Sequence, residues 1–126
     1  MKNSIYVLII IFTISCSNTV NNNDGSIRFK EVRHDFGKIA FRKEAVCSFE
    51  FSNTGKSQLV IYDVKTSCGC TVPKWTNEPI RKGRTGKIDV RYDASFPGVF
   101  HKSIEVFYNG TGSPAKLEIE GEVGEK

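Results

Sequence analysis

Apolar and polar residues alternate with a period of two through most of this chain. In Cys47-Ser48-Phe49-Glu50-Phe51-Ser52 the odd positions are apolar and the even ones polar. Ile88, Val90 and Tyr92 interleave with Lys87, Asp89 and Arg91. Ile104, Val106 and Tyr108 repeat the pattern, broken at Phe107, and Leu117, Ile119, Gly121 and Val123 alternate with Lys116, Glu118, Glu120 and Glu122. Such segments are strands with one wet face and one face on a shared core. Leu59 to Val64 is more continuously apolar, which predicts a strand covered on both faces. Between these runs lie Asn53-Thr54-Gly55-Lys56, Lys82 to Gly86, Phe96-Pro97-Gly98 and Asn109-Gly110-Thr111-Gly112, all rich in residues that suit tight turns. No long segment has a 3.6-residue apolar period. The pattern predicts an all-β domain of about seven short antiparallel strands packed as a sandwich. An OB-type barrel is the structural alternative, but its binding face needs clustered aromatic and basic residues that this sequence does not group.

The N-terminal part reads differently. Ile5 to Ile14 is an uncharged apolar run behind Met1-Lys2-Asn3. As a helix it would reach about 15 Å, half of a bilayer core, so a secretory signal peptide over residues 1–15 is expected rather than a span. Thr13-Ile14-Ser15-Cys16 resembles a bacterial lipobox, with Thr13 where an aliphatic residue is usual. Cys16 would then be lipidated, and two or more acyl chains anchor stably where one does not. The stretch from Cys16 to Ser26 is polar and Asn-rich, a flexible tether. The folded domain is expected over residues 27–124.

With 126 residues, 39% hydrophobic and 25% charged, the chain has room for one such core and little more. The net charge of +4 falls to +3 when Met1 to Ser15, which carries only Lys2, is removed. Basic and acidic residues are interspersed, so the clustered stripe that nucleic acid requires is absent from the sequence.

One ordered set of residues carries a resemblance. His34-Asp35-Phe36-Gly37-Lys38-Ile39, Phe49 and Phe51 before Asn53-Thr54-Gly55, Ser67-Cys68-Gly69-Cys70-Thr71, Trp75, Pro79-Ile80, Gly83, Gly86-Lys87-Ile88, Gly98-Val99-Phe100 and the closing Leu117 to Val123 resemble the domain-of-unknown-function 1573 family. Lys82-Gly83 stands where Pro-Gly is usual. The resemblance implies an immunoglobulin-like β-sandwich of the spindle, ciliary and major-sperm-protein type, common in secreted and lipid-anchored proteins of the Bacteroidota. It implies no biochemical activity.

The sharpest chemistry is Cys68-Gly69-Cys70, with Cys47 as a third thiol beyond Cys16. If the segment is extended, both sulfurs face one side with Cα atoms about 6.6 Å apart, and Gly69 permits a bend that brings them closer. The pairings left open are Cys68 with Cys70, or Cys47 with either, with the remaining thiol buried. Structural cysteines are the leading reading. The alternatives are a redox pair, although redox centres usually place C-x-x-C at a helix start, and metal handling, although structural zinc needs four ligands at wider spacing. His34 and His101 lack ligand spacing, and Asp35 suits an Asx turn before Gly37. Asp63, Asp89 and Asp93 form no visible acid–base pair, and no nucleophile elbow or phosphate loop occurs. Trp75 and Phe107 fit core packing better than ligand binding. Asn109-Gly110-Thr111 matches a glycosylation sequon but reads better as a hairpin turn. No catalytic residue, metal site or cofactor is expected.

The function expected from these features is that of a non-enzymatic envelope module, at the outer membrane by preference, that engages another envelope protein or a surface glycan. A thiol-redox or metal-handling protein using Cys68 and Cys70, and a strand-donating chaperone-like domain, are the alternatives. Cys16→Ser is expected to abolish acylation and move the protein from the membrane to the soluble fraction; fractionation and intact-mass measurement check this, and unchanged membrane retention would refute it.

Overall fold

The structure, a computed structural model, describes residues 25–126; the signal segment and Cys16 lie outside the described residues. Within that range the chain forms eight strands: β1 (Ile27–Phe29), β2 (Arg33–Ile39), β3 (Ala45–Asn53), β4 (Ile61–Thr66), β5 (Thr71–Trp75), β6 (Thr85–Tyr92), β7 (Gly98–Tyr108) and β8 (Ala115–Val123). They make two four-stranded sheets, β1-β3-β6-β5 and β2-β8-β7-β4. The sandwich expected from the alternation is present, with eight strands in place of about seven. One pair also departs from an all-antiparallel plan, since β2 runs parallel to β8. The first long stretch explains both differences. The chain pairs with β3 as β1, crosses at Lys30–Val32 to the other sheet, and there lies beside the last strand as β2.

The predicted inward residues meet between the sheets. Phe49, Ile88, Val90, Ile104, Val106, Leu117 and Ile119 are fully buried, and Phe51 and Tyr92 nearly so. Tyr92 of β6 stacks on Phe100 of β7 with ring centroids 4.0 Å apart, which joins the two sheets directly. Gly121 occupies an inward position of β8 because Phe100 fills the space a side chain would need; a Cβ there would sit 2.8 Å from the Phe100 ring.

Leu59 to Val64 corrects the sequence reading. Leu59, Ile61 and Val64 are buried but Tyr62 is 64% exposed, so the segment is not covered on both faces. β4 is an edge strand, and a register shift between Ile61 and Asp63 resets its alternation.

Two buried asparagines close the end of the sandwich where β1 begins. The Asn53 side chain donates to the carbonyls of Ser57 and Ile80, both at 2.8 Å, and accepts from the Gly55 N–H at 2.9 Å. The Asn109 side chain donates to Gln58 O at 2.8 Å and accepts from Val60 N–H at 2.9 Å. Each is itself paired with main-chain groups of the neighbouring loops, which is why a polar side chain is tolerated inside. The second network also engages the amide that a sequon would offer to a glycan.

Phe51 is 2% exposed, with Phe29 packed edge-on at 5.6 Å. Phe51→Ala is expected to cost about 3–5 kcal/mol in denaturant unfolding. A loss below about 1 kcal/mol would contradict the buried position.

Candidate functional site

The chain leaves β4 in one sheet and enters β5 in the other through Ser67-Cys68-Gly69-Cys70. Here Cys68 and Cys70 are joined by a disulfide, with Cα atoms 5.4 Å apart. That is shorter than an extended i, i+2 spacing because the segment is a turn, closed by the Thr71 N–H on the Cys68 carbonyl at 3.4 Å. The flanking residues fasten it further. Thr66 Oγ1 lies 2.9 Å from Cys68 O and 3.2 Å from Thr71 O, and its single proton serves one of them at a time. Asp93 N–H donates to Cys70 O at 3.0 Å, and Ser67 N–H to Ser103 O at 3.0 Å. Thr71 is buried, and its Oγ1 sits 3.6 Å from Cys68 Sγ. Both cysteines are partly exposed. Closing so short a loop removes little entropy from the unfolded chain, worth roughly 1.5 kcal/mol in the chain-entropy account.

Cys47 is separate from this pair. It lies inward on β3 beside Phe49 and Phe51 as a buried free thiol. Burial pushes its pKa up to about 12, with the charges of Glu31 and Asp89 adding to the effect.

The other polar candidates are occupied locally. Asp35 accepts the Gly37 N–H at 2.7 Å, the Asx turn expected there, and Gly37 takes a φ of 64°. Asp63 accepts from Val64 N–H, Asp89 from Ser48 Oγ and Asp93 from Ser95 N–H. His34 packs edge-on against Phe36, and His101 Nε2 lies 3.5 Å from Glu118. Glu118 is the hub of the outer face of its sheet: the Arg33 guanidinium bonds it at 2.6 and 3.1 Å and holds its carboxyl below the usual range. Trp75 is half-buried against the core, and half-buried Phe107 lies under the Lys65 ammonium at 5.1 Å. Among the described residues no group of three or more His, Cys, Asp or Glu side chains is arranged to hold a metal ion.

A second feature, absent from the sequence reading, lies at the end of the sandwich opposite Gly25. Arg42 and Ala94 both adopt left-handed backbone, with φ of 57° and 53°, and the Arg42 N–H donates to the Ala94 carbonyl at 2.9 Å. Left-handed conformations in residues with a Cβ carry strain, and such strain gathers at functional places. Beside them Phe96 is 72% and Val99 86% exposed. β4 covers only the Ile104–Tyr108 half of β7. Ser103 bonds to Ser67 on that side, so Val99 and His101, which share its direction, turn their main-chain groups outward beside the exposed apolar pair.

A family model described as "Protein of unknown function (DUF1573)" matches residues 27–123. The chain belongs to this family. Solved structures share the fold. A protein of unknown function from Porphyromonas gingivalis W83 is 14% identical with a TM-score of 0.72, covering 86% of this chain and 51% of its own. This chain thus spans about half the length of that protein. PapD-like domain 7 of human CEP192 is 9% identical with a TM-score of 0.66, covering 100% of this chain and 99% of its own. WR4, a C. elegans member of the MSP family, is 9% identical with a TM-score of 0.51, over 81% of this chain and 99% of its own. At these identities the likeness shows an MSP- and PapD-like, immunoglobulin-like sandwich and nothing of activity. No curated protein matches the chain.

The raised pKa of Cys47 leaves almost no thiolate at neutral pH, and thiolate forms only as the pH climbs toward about 12. Iodoacetamide is therefore expected to leave Cys47 unmodified in the native protein and to label it fully after unfolding, as read by peptide mass mapping. Rapid native labelling at neutral pH would contradict this environment.

Proposed function

We propose that this DUF1573 chain is a lipid-anchored, non-enzymatic module of the cell envelope, held at a membrane, the outer one by preference, through Cys16. It engages another envelope protein with the end of the sandwich that carries Phe96 and Val99. The observation that carries this reading is the polarity of the domain. Gly25, where the tether enters, bonds Asn109 at one end. Phe96 and Val99, the two most exposed large apolar residues, and the strained Arg42–Ala94 contact lie at the other, beyond the length of β3. Nine strand residues span roughly 27 Å, so that far end lies about this distance from the point where the tether joins the domain. Apolar residues exposed next to one another mark interaction sites more often than those scattered singly. The local engagement of Asp35, Asp63, Asp89 and Asp93 supports a binding role over catalysis.

The outward main-chain groups of Val99 and His101 favour a strand-addition mode, in which a partner segment continues the sheet beside β7. The same edge would serve a chaperone-like domain that accepts a strand from an unfolded client.

A photoreactive residue placed at Phe96 in the intact lipoprotein is expected to cross-link to a folded envelope protein, while one at Thr111, near the tether, is not. Val99→Lys is expected to weaken the Phe96 adduct without altering thermal stability. Equal adducts from both positions, or none, would overturn the reading. A carbohydrate adduct would replace the protein partner by a surface glycan, and an unfolded client would favour the chaperone-like role.

A further inference from the structure

The turn that carries Cys68–Cys70 is held by hydrogen bonds as well as by its bridge. Thr71 N–H, Thr66 Oγ1 and Asp93 N–H hold the Cys68 and Cys70 carbonyls at 3.4, 2.9 and 3.0 Å, with no part played by sulfur. A disulfide spanning a sequence separation of two constrains the unfolded chain little. The bridge is also reachable. Both cysteines are partly exposed, and a Cβ built on Gly69, at the tip between them, meets nothing within 4 Å.

One side chain is aimed at the sulfur. Thr71 is 3% exposed, and its Oγ1 lies 3.6 Å from Cys68 Sγ. Among the described residues that sulfur is the side-chain partner shown for this hydroxyl. A disulfide sulfur accepts a hydrogen bond weakly, whereas a thiolate accepts it strongly, as charged acceptors do. The Thr71 hydroxyl therefore gains most when negative charge develops on Cys68 Sγ, and it favours Cys68 over Cys70 as the sulfur that departs. A leaving thiol of lower pKa departs faster.

We propose that Cys68–Cys70 is a stoichiometric thiol–disulfide exchange site that takes two electrons from an external dithiol without turnover, with Thr71 positioned to stabilise the leaving thiolate. A thiolate of the dithiol attacks Cys70 Sγ. The Cys68–Cys70 bond breaks, its electron pair goes to Cys68 Sγ, and a mixed disulfide remains on Cys70. The second thiolate of the dithiol attacks its own sulfur in that mixed disulfide, releasing the Cys70 thiolate. The dithiol leaves as a disulfide, two electrons have passed to the protein, and Cys68 and Cys70 take up protons from water according to pH. Cys47, buried in the core, takes no part. The proposal is independent of the anchor and of the apolar end.

The full chain is equilibrated in mixtures of reduced and oxidised dithiothreitol, quenched with acid, alkylated and mapped by mass spectrometry, with near-ultraviolet circular dichroism reporting the fold around Trp75. Cys68 and Cys70 are expected to open and close together, reversibly, with the dichroism unchanged and Cys47 unlabelled. Thr71→Val is expected to slow reduction roughly three- to tenfold, the worth of one hydrogen bond, and to shift the pH profile of Cys68 alkylation upward. Thr71→Ser is expected to restore both. A bridge that opens only with unfolding, or a folded Thr71→Val protein with unchanged rate and pH profile, overturns the proposal. If Thr71→Val does not fold, the single variants Cys70→Ser and Cys68→Ser decide: a Cys68 thiol that titrates below that of Cys70 sustains the proposal, and the opposite order ends it.

Discussion

Burial of one apolar face from each sheet against the other is the interaction on which every other feature of this domain rests. Because side chains alternate along a strand, a single register assigns Cys47, Phe49 and Phe51 to the interior and Val46, Ser48 and Glu50 to the outside. The same rule applied to β6, β7 and β8 brings Ile88, Val90, Ile104, Val106, Leu117 and Ile119 into one cluster. A slip of one residue would exchange the two sets, so the register is fixed by the free energy of the whole apolar face. Turns and edges then fall where the core leaves them.

Two of the chain's crossings between the layers join an edge strand of one sheet to an edge strand of the other. The crossing from β1 to β2 pairs an early strand with the last one, and the crossing from β4 to β5 carries the disulfide. β5 contains Pro73 at a position whose neighbours, Cys70 and Asp93, show the alternate residues bonding to β6; its missing N–H therefore falls on the open side, where no ladder bond is lost. By contrast, the open half of β7 has no such protection at Val99 and His101. One edge of the domain is closed to further pairing and another is left available.

The long alternating runs were legible because each states its own burial without reference to distant parts of the chain. The apolar side chains read as inward from alternation, from Cys47 to Val123, are buried, and the Asp35 turn formed where Asp precedes Gly by two. What lay beyond the sequence depends on contacts between segments far apart. The parallel pairing of β2 with β8 leaves no local mark, since a strand reads alike with either neighbour orientation. Tyr62 was hidden by a bulge, which shifts alternation without altering hydrophobicity. Whether Cys47 or Cys70 would meet Cys68 was a question of distance across the fold. The contact of Thr71 with Cys68 Sγ has no local mark beyond the two threonines that flank Cys68-Gly69-Cys70. The turn at Phe96-Pro97-Gly98 was legible, but the exposure of Phe96 and Val99 was not, because it depends on where β4 stops covering β7.

The pairing of β2 with β8 also bears on the order in which the molecule can be made. β8 is interior to its sheet, flanked by β2 on one side and β7 on the other. Residues 33–39 therefore wait for residues 115–123 before they have a neighbour. Loop closure over such a separation is entropically costly and places the contact among the slow ones. A chain emerging from its N-terminal side cannot complete this sheet early, and it stays threadable until nearly all of the domain has appeared.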